Sequence, residues 1–111
     1  MKTYIVSRGS GGQVGCTVSE DGVAHLLAHC VCHSPDGFET GYGGSGPADL
    51  ALSILCDFCG VEPTMQALAR EDRPWRLHHG FKFQFIGPRR LEKGQSYAIT
   101  GRQIAEWMAT L

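Results

Sequence analysis

The stretch Gly41-Tyr42-Gly43-Gly44-Ser45-Gly46-Pro47-Ala48-Asp49-Leu50-Ala51-Leu52-Ser53-Ile54-Leu55 constrains the fold of this chain more than any other. Four glycines in six residues give way at once to an apolar run at helical spacing, Ala51, Ile54, Leu55 and Phe58, and Gly60 stands where a left-handed residue can end a helix. Proline suits the first position of a helix, where its missing N–H costs nothing. The pattern predicts a helix from Pro47 to Cys59, entered through a glycine turn, with Ser45 placed to accept from the first free amides. Asp49, in the first turn, would complement the helix dipole. So apolar a helix must lie against a hydrophobic surface, and short extended segments elsewhere can supply one.

Thr3 to Ser7 is β-branched and aromatic and stops at the glycine cluster Gly9 to Gly12, which reads as a strand and a loose turn. Val14 to Ser19 reads as a second strand, Asp21-Gly22 as a tight hairpin turn, and Val23 to Cys32 as a longer third strand, giving a β-meander. Phe81-Lys82-Phe83-Gln84-Phe85 alternates, which predicts a strand over 81–86 with three phenylalanines on one face. Pro63 to Arg70 reads as a second helix closed by Pro74, and His78-His79 beside Trp75 as a surface turn. Thr100-Gly101-Arg102-Gln103 matches a capping box with Ile99 and Ile104 at the staple positions, and Ile104, Trp107, Met108 and Leu111 form the stripe of a final helix. The expected fold class is α+β: a small antiparallel sheet, from the meander plus strand 81–86, packed against two or three helices in one domain spanning 1–111.

Composition narrows the function. With 111 residues, 42% of them hydrophobic, and a net charge of −1, the chain is neither disordered nor a polybasic nucleic-acid module. Charge is nonetheless segregated, −4 over residues 1–60 and +3 over 61–111, which can orient a protein on a charged partner. No apolar run approaches the roughly 18 residues of a membrane span, and the N-terminus lacks the apolar stretch of a signal peptide, so the expected location is cytoplasmic, away from membranes. Five cysteines, an odd number without secretory context, are expected as reduced thiols.

The segments His33-Ser34-Pro35-Asp36-Gly37-Phe38-Glu39 and Gly41 to Leu52 resemble a family of small uncharacterised proteins found mainly in bacteriophages, prophages and other bacterial mobile elements. Phe81-Lys82-Phe83, and Ile99-Thr100 with Ile104 and Trp107, are weaker echoes of the same family, so the likeness touches about two-thirds of the chain. It brings no known activity. The chain departs from the pattern at Thr40, where the family usually has tryptophan, so a role needing an aromatic plane there does not carry over.

Three constellations could carry chemistry. The first is the loop Tyr42, Gly43, Gly44, Ser45 and Gly46: amides freed of neighbouring Cβ atoms at a helix N-terminus can cradle an anion. The Lys-Ser/Thr of a P-loop is missing, and Asp49 would repel phosphate, so a structural turn is the leading reading, with Tyr42 exposed to a partner. The second is Cys30, Cys32, His33, Cys56 and Cys59, donors able to share one zinc ion if the fold gathers four of them; buried small hydrophobes are the alternative. The third is Arg73, Arg76, Arg89 and Arg90, a basic patch for phosphate backbones or an acidic protein face, or a solvated surface.

No cysteine is framed by a nucleophile signature, and Asp36 with Glu39 is a commonplace pair of loop acids, so catalysis is the lesser expectation. The resemblance and the small size together imply a non-enzymatic phage or mobile-element binding protein in a bacterial host cell. Its expected partner is a host or phage protein complex, and it would act as an inhibitor of a bacterial defence system in the manner of an anti-CRISPR protein. The alternatives are a nucleotide or other small-ligand binder using the glycine loop, a zinc-binding module, and, more weakly, a nucleic-acid contact.

Overall fold

The computed structural model describes all 111 residues. Four strands, β1 (Thr3–Arg8), β2 (Val14–Glu20), β3 (Val23–Leu26) and β4 (Ser96–Thr100), form one antiparallel sheet in the order β3-β2-β1-β4. The β2–β3 hairpin turns at Asp21 and Gly22, with φ of 53° and 80°, so both central residues are left-handed as a two-residue hairpin requires. Register gives the sheet one dry face: Tyr4 lies opposite Val18 and Ile99, and Val6 opposite Cys16 and Tyr97. All but the half-buried Tyr97 are buried, so alternation places the apolar residues on the side that meets the helices.

Helix α1 (Ser45–Cys59) is the centre of the molecule. Leu50, Ala51, Ile54 and Leu55 join Tyr4, Val6, Val18 and Ile99 in the main core, while Leu52 and Cys56 pack on the far side with Cys30 and Leu68. Every residue from Gly46 to Cys56 is buried, the pattern of a helix covered on all sides. Gly60 ends it at φ 70° and donates back to the carbonyls of Asp57 and Cys56. Helix α2 (Met65–Arg70) is capped by the Thr64 hydroxyl. Helix α4 (Gly101–Met108) has the expected capping box between Thr100 and Gln103, with Ile99 and Ile104 both buried.

Four expectations are corrected. Residues 81–86 are not a strand: α3 (Arg73–Phe81) runs on into a π-helical turn, Lys82–Ile86, closed by the Gly87 amide on the Lys82 carbonyl at 2.8 Å. His78, Phe81, Lys82, Phe85 and Ile86 are buried and Phe83 and Gln84 exposed, a helical spacing that the alternating phenylalanines masked. The sheet takes Ser96–Thr100 as its fourth strand, and Pro74 begins α3 instead of closing α2. The third strand stops at Leu26, well short of Cys32, because side chains of α1 claim the following amides. Finally, α1 starts at Ser45 with Gly44 as its N-cap; Ser45 makes no capping bond, and Pro47 is the third helical residue.

The glycines of the loop have unequal work. Gly41 is left-handed, φ 91°, and a Cβ there would lie 2.8 Å from the Arg90 Cα. At Gly46 a Cβ would come within 2.7 Å of the Glu39 Cβ and 3.0 Å of its backbone nitrogen. A Cβ on Gly43 would meet nothing closer than a Phe83 ring carbon at 3.7 Å, ordinary contact. Gly41→Ala is therefore expected to cost about 1–3 kcal/mol from strain and Gly46→Ala at least about 1 kcal/mol from overpacking. Gly43→Ala should stay within about 0.5 kcal/mol of wild type in urea unfolding.

Candidate functional site

The buried run of α1 from Gly46 to Cys56 turns two polar side chains, Asp49 and Ser53, one helical turn apart, toward the segment that follows β3. The Ser53 hydroxyl accepts from the Cys30 amide at 2.8 Å. The Asp49 carboxylate, wholly buried, accepts from the amides of His33 at 2.8 Å, Ser34 at 3.0 Å and Cys32 at 3.2 Å, and lies 2.8 Å from His29 Nε2. Burial pushes this carboxyl upward, but the bonds from His29, His33, Ser34 and Cys32 outweigh it and hold the group below its usual range. Asp49 is thus an internal clamp on the 29–34 segment, a role different from the dipole complement that its place in the sequence suggests.

That clamp delivers the His33 ring to α3. His33 Nε2 lies 3.1 Å from His78 Nε2, the His33 ring stacks on Trp75 at 5.9 Å, and His79 is 5.7 Å away by ring centroid. His78, expected at a surface turn with His79, is completely buried within α3, whereas His79 is exposed. His78 Nδ1 lies 2.6 Å from the Trp75 carbonyl, so Nδ1 carries the hydrogen and donates, which leaves Nε2 as an acceptor for the His33 N–H. Burial pushes His78 down to about 4 and lowers His79 as well, so both rings are neutral at neutral pH. The three rings present ring nitrogens within 4.8 Å of one another. His33 and His79, but not the buried His78, border a hollow of about 210 Å³ shared with Gly43, Gly44, Ser45, Ala48 and Lys82.

The glycine loop forms the wall of this hollow and, on its other side, of a cleft of about 750 Å³ lined by Gly12, Gln13, Asp36, Glu39, Tyr42 and Ser45 among others. The loop is pinned at several points. Arg8 makes a two-pronged pair with Glu39, at 2.7 and 3.2 Å, and this guanidinium holds the Glu39 carboxyl below its usual range. The buried Thr40 hydroxyl donates to the Arg89 carbonyl at 2.7 Å and accepts from Tyr97 at 2.6 Å. Lys82 Nζ donates to the Gly43 carbonyl at 3.2 Å and sits over the Phe83 ring. Asp36 and Glu39 make the large cleft a poor place for phosphate, since Arg8 is already engaged.

The donors named from sequence do not gather. Cys30 and Cys56 lie in the far-side apolar cluster with Leu52 and Leu68, Cys32 is exposed, and Cys59 is half-buried at the end of α1. Burial raises all four thiols, Cys56 to about 12, which suits small apolar residues. Only His33 of that set joins a group of three metal-capable side chains, and His78 and His79 complete it. The signal for them was a histidine pair three and four residues after a tryptophan in a helical stretch; reading a turn there hid it. The arginines form two separate pairs. Arg73 and Arg76 open α3, with Arg76 on Asp72 at 3.1 Å, while Arg89 and Arg90 lie beyond its far end, about 15 Å or more along the helix. Arg89 covers the Tyr97 ring and Arg90 stands 4.0 Å from Glu92. Tyr42 is about half exposed, beside the loop.

The chain belongs to a family of unknown function (DUF6166), whose model matches residues 4–110. No curated protein and no solved structure matches it.

Asp49→Ala would remove the acceptor of three part-buried amides and of His29, so a loss of about 2–3 kcal/mol is expected in urea unfolding. A mutant within 1 kcal/mol of wild type would show that water replaces the carboxylate. Glu39, depressed when folded, adds stability above its unfolded value of 4.5, and this is lost as pH falls through the lower folded value. Glu39→Gln should flatten the fall in melting temperature on acidification below about pH 4.5.

Proposed function

We propose that this member of the family acts by contact with a protein partner, through the face that the glycine loop shares with α3 and its π turn. One observation carries the reading: Tyr42, Phe83 and Trp75 are 52%, 65% and 38% exposed near a loop pinned by the Arg8–Glu39 ion pair and by hydrogen bonds of Thr40 and Lys82. Aromatic side chains that project from a rigid support give large contact area at little ordering cost and are enriched where binding energy concentrates. The likeness of the Gly41–Leu52 stretch to proteins of bacteriophages and mobile elements supports a bacterial host complex as that partner, a defence assembly among the first to assay.

Photo-crosslinkers placed at Tyr42 and Phe83, with Glu106 on α4 as the control position, test this in the bacterial cell. The same partner should be labelled from both loop-side positions and not from the control. With that partner purified, Tyr42→Ala and Phe83→Ala should each weaken binding by about 10-fold or more while leaving the melting temperature within a degree or two. Equal labelling from all three positions, or unchanged affinity in both variants, refutes the proposal.

A further inference from the structure

The geometry points to a zinc site formed by His33, His78 and His79, a mononuclear centre with three imidazole ligands and one position open to solvent. Four features converge on it. The donors come from two separate parts of the chain, yet their nitrogens lie within 4.8 Å of one another, and the closest pair, His33 Nε2 and His78 Nε2, is 3.1 Å apart. Ligand nitrogens on a tetrahedral zinc, at about 2.0–2.1 Å from the ion, stand about 3.3 Å from each other. The pair is therefore already at ligand spacing, and the exposed His79 ring on α3 needs only a small side-chain rotation to close the triad.

His78 is held in the right tautomer. Its Nδ1–H bonds the Trp75 carbonyl at 2.6 Å, so the Nε2 lone pair aims at His33, the arrangement of a metal-bound histidine whose other nitrogen is fixed by an outer partner. His33 reaches the site because its amide is clamped by Asp49 at 2.8 Å and its ring rests on Trp75. On binding zinc the His33 ring moves its hydrogen from Nε2 to Nδ1, so no proton is released. His33 and His79 border the hollow under Gly43, Gly44 and Ser45, from which solvent water would take the fourth position. Lys82 borders the same hollow, but its ammonium is turned onto the Gly43 carbonyl and the Phe83 ring, which temper its charge toward the ion.

The probe is zinc chloride, added to the full chain after chelator treatment. Equilibrium dialysis should find one zinc per chain, and the melting temperature should rise with zinc concentration. His33→Ala and His79→Ala, whose side chains are not part of the core, should each lower zinc affinity by at least about tenfold. Cys32→Ser and Cys59→Ser should leave it unchanged. Cobalt in place of zinc should give a spectrum without thiolate-to-metal charge transfer, a readout on the unaltered chain that needs no variant to fold. Absence of stoichiometric zinc, a thiolate signature with cobalt, or wild-type affinity in either histidine variant overturns the assignment. The contact face proposed above would survive that result, since its crosslinks are read without added metal.

Discussion

The carboxylate of Asp49 is the interaction on which the irregular segment after β3, and the placing of His33, depends. A charged group enclosed on all sides is costly unless hydrogen bonds replace its water, and here three backbone amides and an imidazole do so. The same bonds satisfy a segment that has no strand or helix to pair with. Each side solves the other's problem: the segment solvates the helix's acid, and the helix supplies the acceptors that a sheet would otherwise provide. The position of His33, and with it the shape of the hollow beside the glycine loop, follows from that exchange.

How much of this was legible in the sequence depended on whether the relevant partner was near in the chain. The hairpin at Asp21-Gly22, the capping box at Thr100 and the helix end at Gly60 are local devices, written in adjacent residues, and all three formed as read. Phe81 to Ile86 was misread because propensity and alternation favoured a strand, whereas burial on the α1 side imposed a helical period. Aromatic alternation over five residues fits either period when the polar residues between are long. Lys82 shows how, since its stem lies in the interior while its ammonium finds the Gly43 carbonyl.

The candidate site was less visible. Cysteines at short spacing drew attention, yet thiols close in sequence were divided between an apolar cluster, an exposed loop and a helix end. Of the three histidines that do converge, His33 lies 45 residues from His78, and no periodicity links the two. What could have pointed there was the polar pair Asp49 and Ser53, one turn apart in a run of leucine, alanine and isoleucine. Such a pair, in an otherwise apolar run from Gly46 to Cys56, signals that a neighbouring segment brings unpaired amides to it.

Enclosure of α1 from Gly46 to Cys56 also bears on how such a protein can drift. A helix that lies on a surface has an outward side where substitutions pass almost unnoticed. This one has none: a side chain that grows presses on the sheet or on the 29–34 segment, and one that shrinks leaves a void against the other. Variation that preserves the fold is thereby displaced to the exposed side of α3, the faces of α4 and the tip of the β2–β3 hairpin. A lineage built on this architecture is free to change what it touches long before it can change the helix that holds it together.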